Sequence, residues 1–181
     1  MRAEYENVLD DHLGQIHFTY VNTWDELLPA HWHEHLEIIY VLGGEITASI
    51  NDVSYELKKG DIFLVNSNDI HYTHTHEDAR YYLLQIPPVH LERISAKWEG
   101  LKFQEFIRSK SADACVQGEQ LETVQEKGIV EMRENRKSTN RADDLYDQLR
   151  DVFRKIAGFY EEKKEGYHLL VLSAVYRLLY F

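Results

Sequence analysis

Short alternating stretches, separated by glycine and asparagine, fill most of the segment from Leu36 to Ile86. In residues 45–50, EITASI, every second side chain is apolar and the others are polar, which is the pattern of a strand with one buried face. Further strands are predicted at 15–21, 36–42, 53–57, 62–66, 71–75 and 80–86. The turns between the central strands contain Gly43–Gly44, Asn51–Asp52 and Gly60–Asp61. Strands this short and this regularly spaced favour a β-sandwich or a small barrel.

The periodicity of the apolar residues changes near Asp143 from that of a strand to that of a helix. The apolar positions follow steps of four, three, four and three residues: Leu145, Leu149, Val152, Ile156 and Phe159. A polar break at 161–168, with Gly166 as a turn or cap, precedes a second predicted helix, LLVLSAVYRLLYF. This C-terminal stretch is therefore predicted to be a pair of helices.

The last helix, residues 169–181, is apolar nearly all round. One amphipathic neighbour and a small barrel cannot cover its whole circumference, so we predict a homodimer formed through the helical pair. The predicted interface consists of Leu145, Leu149, Val152, Ile156, Leu172, Val175 and Leu179. Because the helix stops at Phe181 without a polar cap, we also expect the natural polypeptide to continue.

The net charge of −11 limits the partners of this chain. Its lysines and arginines are not clustered, so we do not expect it to bind nucleic acid by itself. The single cysteine, Cys115, excludes an internal disulfide and suits a reducing cytosol. No signal peptide pattern is present at the N-terminus, and the longest apolar stretch, 169–181, contains Arg177 and is too short to span a membrane. We therefore expect a cytoplasmic protein without membrane contact.

Two histidine-bearing segments lie within the strand region. His31, His33, His35 and Glu37 occupy alternate positions, so a chain that is extended throughout would present all four on one face. His71 follows a second glycine-led segment further along the chain. Imidazole nitrogens and a carboxylate suit a divalent transition metal, and they equally suit hydrogen bonds to the hydroxyl groups of a sugar-like molecule.

Both kinds of site draw on the same residues. The predicted effector-binding residues are His31, His33, Glu37, Tyr55, His71 and Thr73. The candidate metal ligands are His31, His33, Glu37 and His71. Tyr55 and Thr73 join the first set because Tyr55 is in phase with the apolar face of its strand and Thr73 is in phase with His71.

The two histidine-bearing segments resemble the paired motifs of the cupin superfamily. The matching residues are His31, His33, Glu37 and Gly44 in the first motif, and Gly60 and His71 in the second. Asn66 and Asn68 stand where the second motif has proline and glycine, and Thr75 replaces its asparagine. These departures leave the expected fold unchanged and count against a catalytic cupin.

A closer resemblance is to the sensor half of AraC-type transcription regulators, which residues 31–73 resemble along their whole length. The C-terminal helices resemble the pair with which such domains dimerise, so the resemblance covers about two-thirds of the chain. It implies an α+β fold with three parts. These are a cupin-like β-barrel (jelly roll) with an N-terminal arm at 1–88, a connecting segment packing on the barrel at 89–142, and a helical dimerisation module at 143–181.

The same resemblance implies a non-enzymatic domain that holds a small polar, sugar-like effector, often without a metal. DNA would be bound by a helix-turn-helix domain that no residues here match. Two alternatives stay open. One is a metal-dependent cupin enzyme of the isomerase or dioxygenase type, in which the four candidate ligands hold the metal. The other is a stand-alone binding module.

Overall fold

The computed structural model describes residues 3–8, 16–76, 78–95, 97, 100, 102–103, 105–107 and 138–180, with the backbone alone for Phe106 and 138–144. The strands are β1 (Glu4–Tyr5), β2 (His17–Thr23), β3 (Leu27–Trp32), β4 (Leu36–Gly43), β5 (Glu45–Ile50), β6 (Val53–Lys58), β7 (Ile62–Val65), β8 (His71–Thr75), β9 (Ala79–Ile86) and β10 (Phe106–Ile107). The helices are α1 (Pro88–Ile94), α2 (Ser138–Glu162) and α3 (Tyr167–Tyr180).

The described strands form two five-stranded sheets. The first sheet has the order β1-β3-β8-β5-β6, and the second has the order β10-β7-β4-β9-β2. Strands β1 and β3 run parallel, and the other paired strands are antiparallel. The chain is therefore a jelly roll followed by helices, which confirms the predicted α+β, cupin-like fold. The domain boundaries at 88 and 142 stay predictions, and residues 108–137 of the connecting segment lie outside the described residues.

The motif glycine Gly44 closes the turn between β4 and β5. Its φ is +74°, and a Cβ atom added there would lie 2.6 Å from the Cα of Ala79. A side chain would therefore collide with the backbone of β9, so both the backbone angle and the available space require glycine. The turn holds β4 and β5 in different sheets, and β4 carries one of the site residues described below.

Strand β4 faces a different compartment on each side. Ile39 and Val41 point between the two sheets, where they belong to a core cluster with residues of β5, β6 and β7. Leu36, Ile38 and Tyr40 point outward from the second sheet into a larger cluster shared with α2 and α3. Alternation along the strand therefore assigns every second residue to the barrel interior and the rest to the interface with the helices.

The helical pair packs on the outer face of the second sheet. Phe153 is fully buried, with its ring centroid 5.4 Å from that of Tyr40. Tyr146 donates a hydrogen bond to the carbonyl of Gly60 at 2.8 Å, and Tyr160 donates one to the carbonyl of Ile16 at 2.9 Å. Two tyrosine hydroxyls, about four turns apart on α2, thus anchor the helix to the barrel.

This packing covers most residues of the predicted dimer interface within the single chain. Leu149, Val152, Ile156 and Val175 are at most 7% exposed within the single chain, and Leu145, Leu172 and Leu179 pack partly buried against the same cluster. The apolar stripe of α2 is covered by the chain's own sheet and by α3, so its buried members are not available to a second copy. The largest exposed apolar side chains of the pair instead belong to α3: Leu169, Leu170 and Tyr180.

The helix limits differ slightly from the predicted ones. Helix α2 begins at Ser138 rather than near 143, and α3 begins at Tyr167, directly after Gly166, whose φ of +77° makes the predicted turn. None of the helices in the described part of the chain combines the length and the apolar character needed to cross a bilayer. Cys115 lies outside the described residues.

Candidate functional site

Three histidines and one glutamate meet at one end of the barrel, and we call them the histidine site: His31, His33, Glu37 and His71. His31 is near the end of β3 and is the register partner of His71 at the start of β8, so both belong to the first sheet. Glu37 lies near the start of β4 in the second sheet. His33 lies between β3 and β4, where the chain crosses from one sheet to the other. The site therefore draws on both sheets.

The crossing also separates His35 from the histidine site, although the residue itself is 6% exposed. The backbone bends at residues 34–35, so the segment from His31 to Glu37 is not extended throughout, and the prediction that all four alternate side chains share one face is wrong for His35. Its carbonyl accepts a hydrogen bond from the Nδ1 of His33, and its ring packs at 6.5 Å from that of His17. Its ring also lies edge-on to that of His33 at 6.1 Å, so His35 supports the histidine site without joining the three converging ring nitrogens.

Backbone carbonyls orient the three imidazole rings. The Nδ1 atoms of His31, His33 and His71 lie 2.7, 3.1 and 3.0 Å from carbonyl oxygens of Pro29, His35 and Asp69. One ring nitrogen from each of the three histidines then lies within 4.8 Å of the other two. A hydrogen bond that fixes the Nδ1–H leaves the Nε2 lone pair of a neutral imidazole free for a ligand, which is how metal-binding histidines are commonly held.

Two of these nitrogens have no hydrogen-bond partner. The Nε2 atoms of His31 and His71 are buried, and neither is hydrogen bonded to any described residue. The nearest carboxylate oxygens are those of Glu6, 3.4 Å from the Nε2 of His31, and of Glu37, 3.9 Å from the Nε2 of His71. Buried acceptors without a donor are unfavourable, so the site is built for something that supplies hydrogen atoms or positive charge.

Glu37 and His33 form a buried ion pair. The Oε2 of Glu37 accepts hydrogen bonds from the Nε2 of His33 at 3.1 Å and from the Nε2 of Gln85 at 2.9 Å. Burial alone raises the pKa of Glu37, but the hydrogen bond from His33 and the neighbouring imidazoles outweigh burial and lower its pKa to about 2. Both carboxylate oxygens of Glu37 are thus held in the charged form.

The pKa values of two histidines at the site, His33 and His71, are shifted in opposite directions. Burial lowers the pKa of His33, but the hydrogen bond and the charge of Glu37 outweigh it, so the net pKa of His33 is raised. Both ring nitrogens of His33 face acceptors, which agrees with a protonated imidazolium. Burial dominates at His71 and lowers its pKa. The surroundings therefore favour the charged form of His33 and the neutral form of His71.

The sequence analysis missed Glu6 and Gln85. Glu6 follows β1, and its carboxylate lies 3.4 Å from the Nε2 of His31 and 4.0 Å from the Nε2 of His33. No motif signals this residue, because its position depends on the parallel pairing of β1 with β3. Gln85 is the register partner of Glu37. Its alternation with the apolar residues Leu84 and Ile86 was a signal that could have assigned its side chain to the barrel interior.

The remaining predicted effector residues lie further along the barrel. Thr73 is buried, two residues after His71 on the same face of β8. Tyr55 on β6 is the register partner of Ala48 on β5, and Ala48 is in turn the register partner of Thr73 on β8. Tyr55 and Thr73 therefore lie in one row across the first sheet. Its ring packs on Phe63 at 5.2 Å and its hydroxyl donates to Glu105. Contact of Tyr55 or Thr73 with an effector stays a prediction.

The donor set fits a divalent transition metal. Three imidazole nitrogens with orienting hydrogen bonds and one carboxylate are the ligand types that zinc, iron, nickel and manganese accept in proteins. His31, His33, His71 and Glu37 would hold the ion after His33 releases its proton. When bound, such an ion acts as a Lewis acid toward an oxygen of a ligand.

Comparisons with known proteins agree with this architecture. The model of the family described as AraC-like ligand binding domain matches residues 14–179. An uncharacterised HTH-type transcriptional regulator of Bacillus subtilis (strain 168), YdeC, is 30% identical over 63 residues, which cover 34% of this chain and 22% of that regulator.

Among solved structures, an RmlC-like cupin from Shewanella frigidimarina NCIMB 400 is 20% identical, with a TM-score of 0.39 over 41% of this chain and 68% of that one. KdgF from a Halomonas species is 22% identical, with a TM-score of 0.39 over 42% and 74% of the two chains.

Proposed function

The chain belongs to the family of AraC-like ligand binding domains, and on this premise we propose that it senses a small polar, sugar-like effector at the histidine site. The observation that carries the proposal is the pair of buried, unpartnered Nε2 atoms on His31 and His71. In a neutral imidazole whose Nδ1 carries the proton, each is a hydrogen-bond acceptor, and that of His71 lies 3.9 Å from the carboxylate of Glu37. A molecule with several hydroxyl groups supplies the donors that such a cluster lacks.

The output of binding is a change in transcription. The relative in Bacillus subtilis is named as an HTH-type regulator, and the matched segment spans 22% of it. We assign DNA contact to a helix-turn-helix domain of the whole protein, because this chain carries a net charge of −11. The effector then acts by binding one arrangement of the arm, barrel and helices more tightly than another. On this proposal the protein is cytoplasmic, and the domain binds rather than catalyses.

We infer a second candidate from the same nitrogens, namely a divalent transition metal held by His31, His33, His71 and Glu37. The mutual separation of up to 4.8 Å among three ring nitrogens leaves a space suited to a single ion after a small contraction. This candidate keeps the metal-dependent cupin enzyme as an alternative function. The first candidate predicts that chelator-treated protein binds a sugar-like effector, and the second predicts that it binds a metal ion.

The experiment that separates them titrates chelator-treated protein with a panel of neutral monosaccharides and, separately, with Co²⁺. We expect one monosaccharide to bind at one per chain, and His71→Ala to weaken it by about tenfold, since the hydrogen bond that the Nε2 of His71 accepts is lost. His74→Ala is the matched control, because His74 lies on the same strand but pairs with Asp25 at 3.0 Å on the outer side.

The opposite pattern would replace the first candidate by the second. In that case no sugar binds, and Co²⁺ binds at one per chain with visible absorption that His71→Ala removes and His74→Ala keeps. Binding of either ligand that is equal in the two variants would place it outside the histidine site.

The proposal includes a homodimer formed through α3 rather than through the stripe of α2. Leu169 and Tyr180 are 63% and 85% exposed, and they lie eleven residues apart, which is three helical turns. Tyr176 lies between them on the same face, half-buried. Two copies of this face would cover side chains that are unfavourable in water.

We expect Leu169→Glu to shift the protein to monomer in sedimentation velocity without changing its far-ultraviolet circular dichroism. A charge on this face loses its hydration when the two copies pair. His168→Glu, which adds the same charge on an exposed neighbouring flank of α3, should leave the dimer intact. A wild-type protein that sediments as a monomer at high micromolar concentration would contradict the dimer.

A further inference from the structure

A second cavity lies on the opposite side of strand β4 from the histidine site, between the second sheet and the helical pair. Its volume is about 180 Å³. We call it the helix-side cavity. The sheet contributes Leu36 and Ile38, the two neighbours of Glu37 on β4, and α2 contributes Leu149 and Phe153. Phe103, from the segment before β10, lies at the cavity as well.

The side chains that line this cavity are hydrocarbon. The eleven lining residues that the structure describes are all leucine, isoleucine or phenylalanine. None of these described side chains offers a hydrogen bond or a charge, so an ordered water would find only backbone groups as partners there. A polar or charged molecule would lose its hydration on entry without compensation. The chemistry of the walls therefore restricts an occupant to an uncharged, apolar molecule.

The residues that line the cavity differ in exposure, from a closed end to an open rim. Leu36, Ile38 and Phe153 at the closed end are at most 1% exposed. Leu145 and Leu179 at the rim are only partly buried.

We propose that the helix-side cavity is a binding site for a small uncharged apolar molecule, of the size of a single substituted aromatic ring. A leucine- and phenylalanine-lined cavity of about 150 Å³ is known to stay dry and to accept benzene. An occupant replaces empty space with dispersion contacts to leucine and phenylalanine side chains. This site is separate from the histidine site in both position and chemistry, so the proposal does not depend on the proposed function.

The test titrates the purified chain with toluene, followed by calorimetry and by the shift in unfolding temperature. We expect one toluene per chain. Leu179→Phe should weaken binding by about tenfold or more, because the larger ring occupies part of the space that toluene needs. Leu145→Phe fills the same rim from α2 and serves as the second variant if the first does not fold. Leu172→Phe is the matched control, because Leu172 is also half-buried on α3 but does not line the cavity.

The outcomes are distinct. Wild-type binding that is lost in Leu179→Phe or Leu145→Phe and kept in Leu172→Phe supports the site. No binding up to the solubility limit of toluene overturns it, and so does equal binding in all variants. His71→Ala should bind toluene as the wild type does; a loss of binding in that variant would place toluene at the histidine site and would also overturn the proposal.

Discussion

Replacing Glu37 with glutamine will lower the free energy of unfolding of the chelator-treated protein by about 3 kcal/mol at pH 5.5. The variant leaves the imidazolium of His33 buried without its counter-ion, and breaking one side of a buried ion pair costs about 3–5 kcal/mol. Glu37 is 4% exposed and His33 is 1% exposed, so water can replace little of the lost interaction. Urea unfolding of wild type and variant measures the difference.

The difference should depend on pH in a predictable direction. The folded pKa of Glu37 is about 2 against 4.5 for the free group, so its stabilisation is present above 4.5 and is lost as pH falls toward 2. The folded pKa of His33 is raised above 6.5, so its stabilisation is present below 6.5 and is lost as pH rises through the raised value. The gap between wild type and variant should therefore be widest between pH 4.5 and 6.5.

Glu34→Gln is the matched control for this variant. Glu34 is an exposed carboxylate in the bend beside His33, and its replacement should change the unfolding free energy by less than about 0.5 kcal/mol. If the difference in unfolding free energy between wild type and Glu37→Gln stayed constant from pH 3 to pH 9, this would contradict the ion pair.

Replacing Phe153 with alanine will cost about 3–5 kcal/mol of unfolding free energy, because it removes a fully buried aromatic ring between the helical pair and the sheet. Leu170→Ala, at an exposed position of α3, should stay within about 0.5 kcal/mol. Urea unfolding followed by circular dichroism provides both values.

The variant Phe153→Ala also tests which surface α2 packs on. If α2 instead packed mainly on a second copy of the chain, Phe153→Ala would weaken the dimer and leave the unfolding of the monomer nearly unchanged. The expected result is the reverse, with loss of stability at every protein concentration.

The barrel was predictable because its strands carry local signals. In β5, the side chains of Ile46, Ala48 and Ile50 alternate with polar ones, and the turns at either end contain residues suited to positive φ, as Gly44 and Asn51 show. The predicted strands agree with the observed ones to within about two residues. Periodicity and turn chemistry depend only on neighbouring residues, so they can be recognised without the fold.

The partner of an apolar stripe is not a local property. Leu149, Val152 and Ile156 were predicted to lie on one helix face that a second copy covers, whereas in the structure the chain's own sheet and α3 cover them. Periodicity shows that a face needs cover and does not show whether a sheet of the same chain or a second copy supplies it. The outward face of β4, with Leu36 and Ile38, was the missing partner.

The residues of the histidine site were also predictable only where the signal was local. His31, His33, Glu37 and His71 were identified from spacing, and the structure brings them together. Glu6 reaches the site only because β1 pairs with β3. The two strands are some twenty-five residues apart in the sequence. Contacts of this range depend on topology and leave no mark on the neighbouring residues.

The alternation along β4 has a consequence for how the chain reaches its fold. A shift of the β4 pairing by one residue would exchange its two faces. Glu37 would then lose Gln85 and His33 and face Phe153, while Leu36 and Ile38 would occupy the histidine site. Both changes are unfavourable, so the misaligned sheet cannot compete with the native one. The residue that gives the site its charge thus also fixes the register of the central strand during folding.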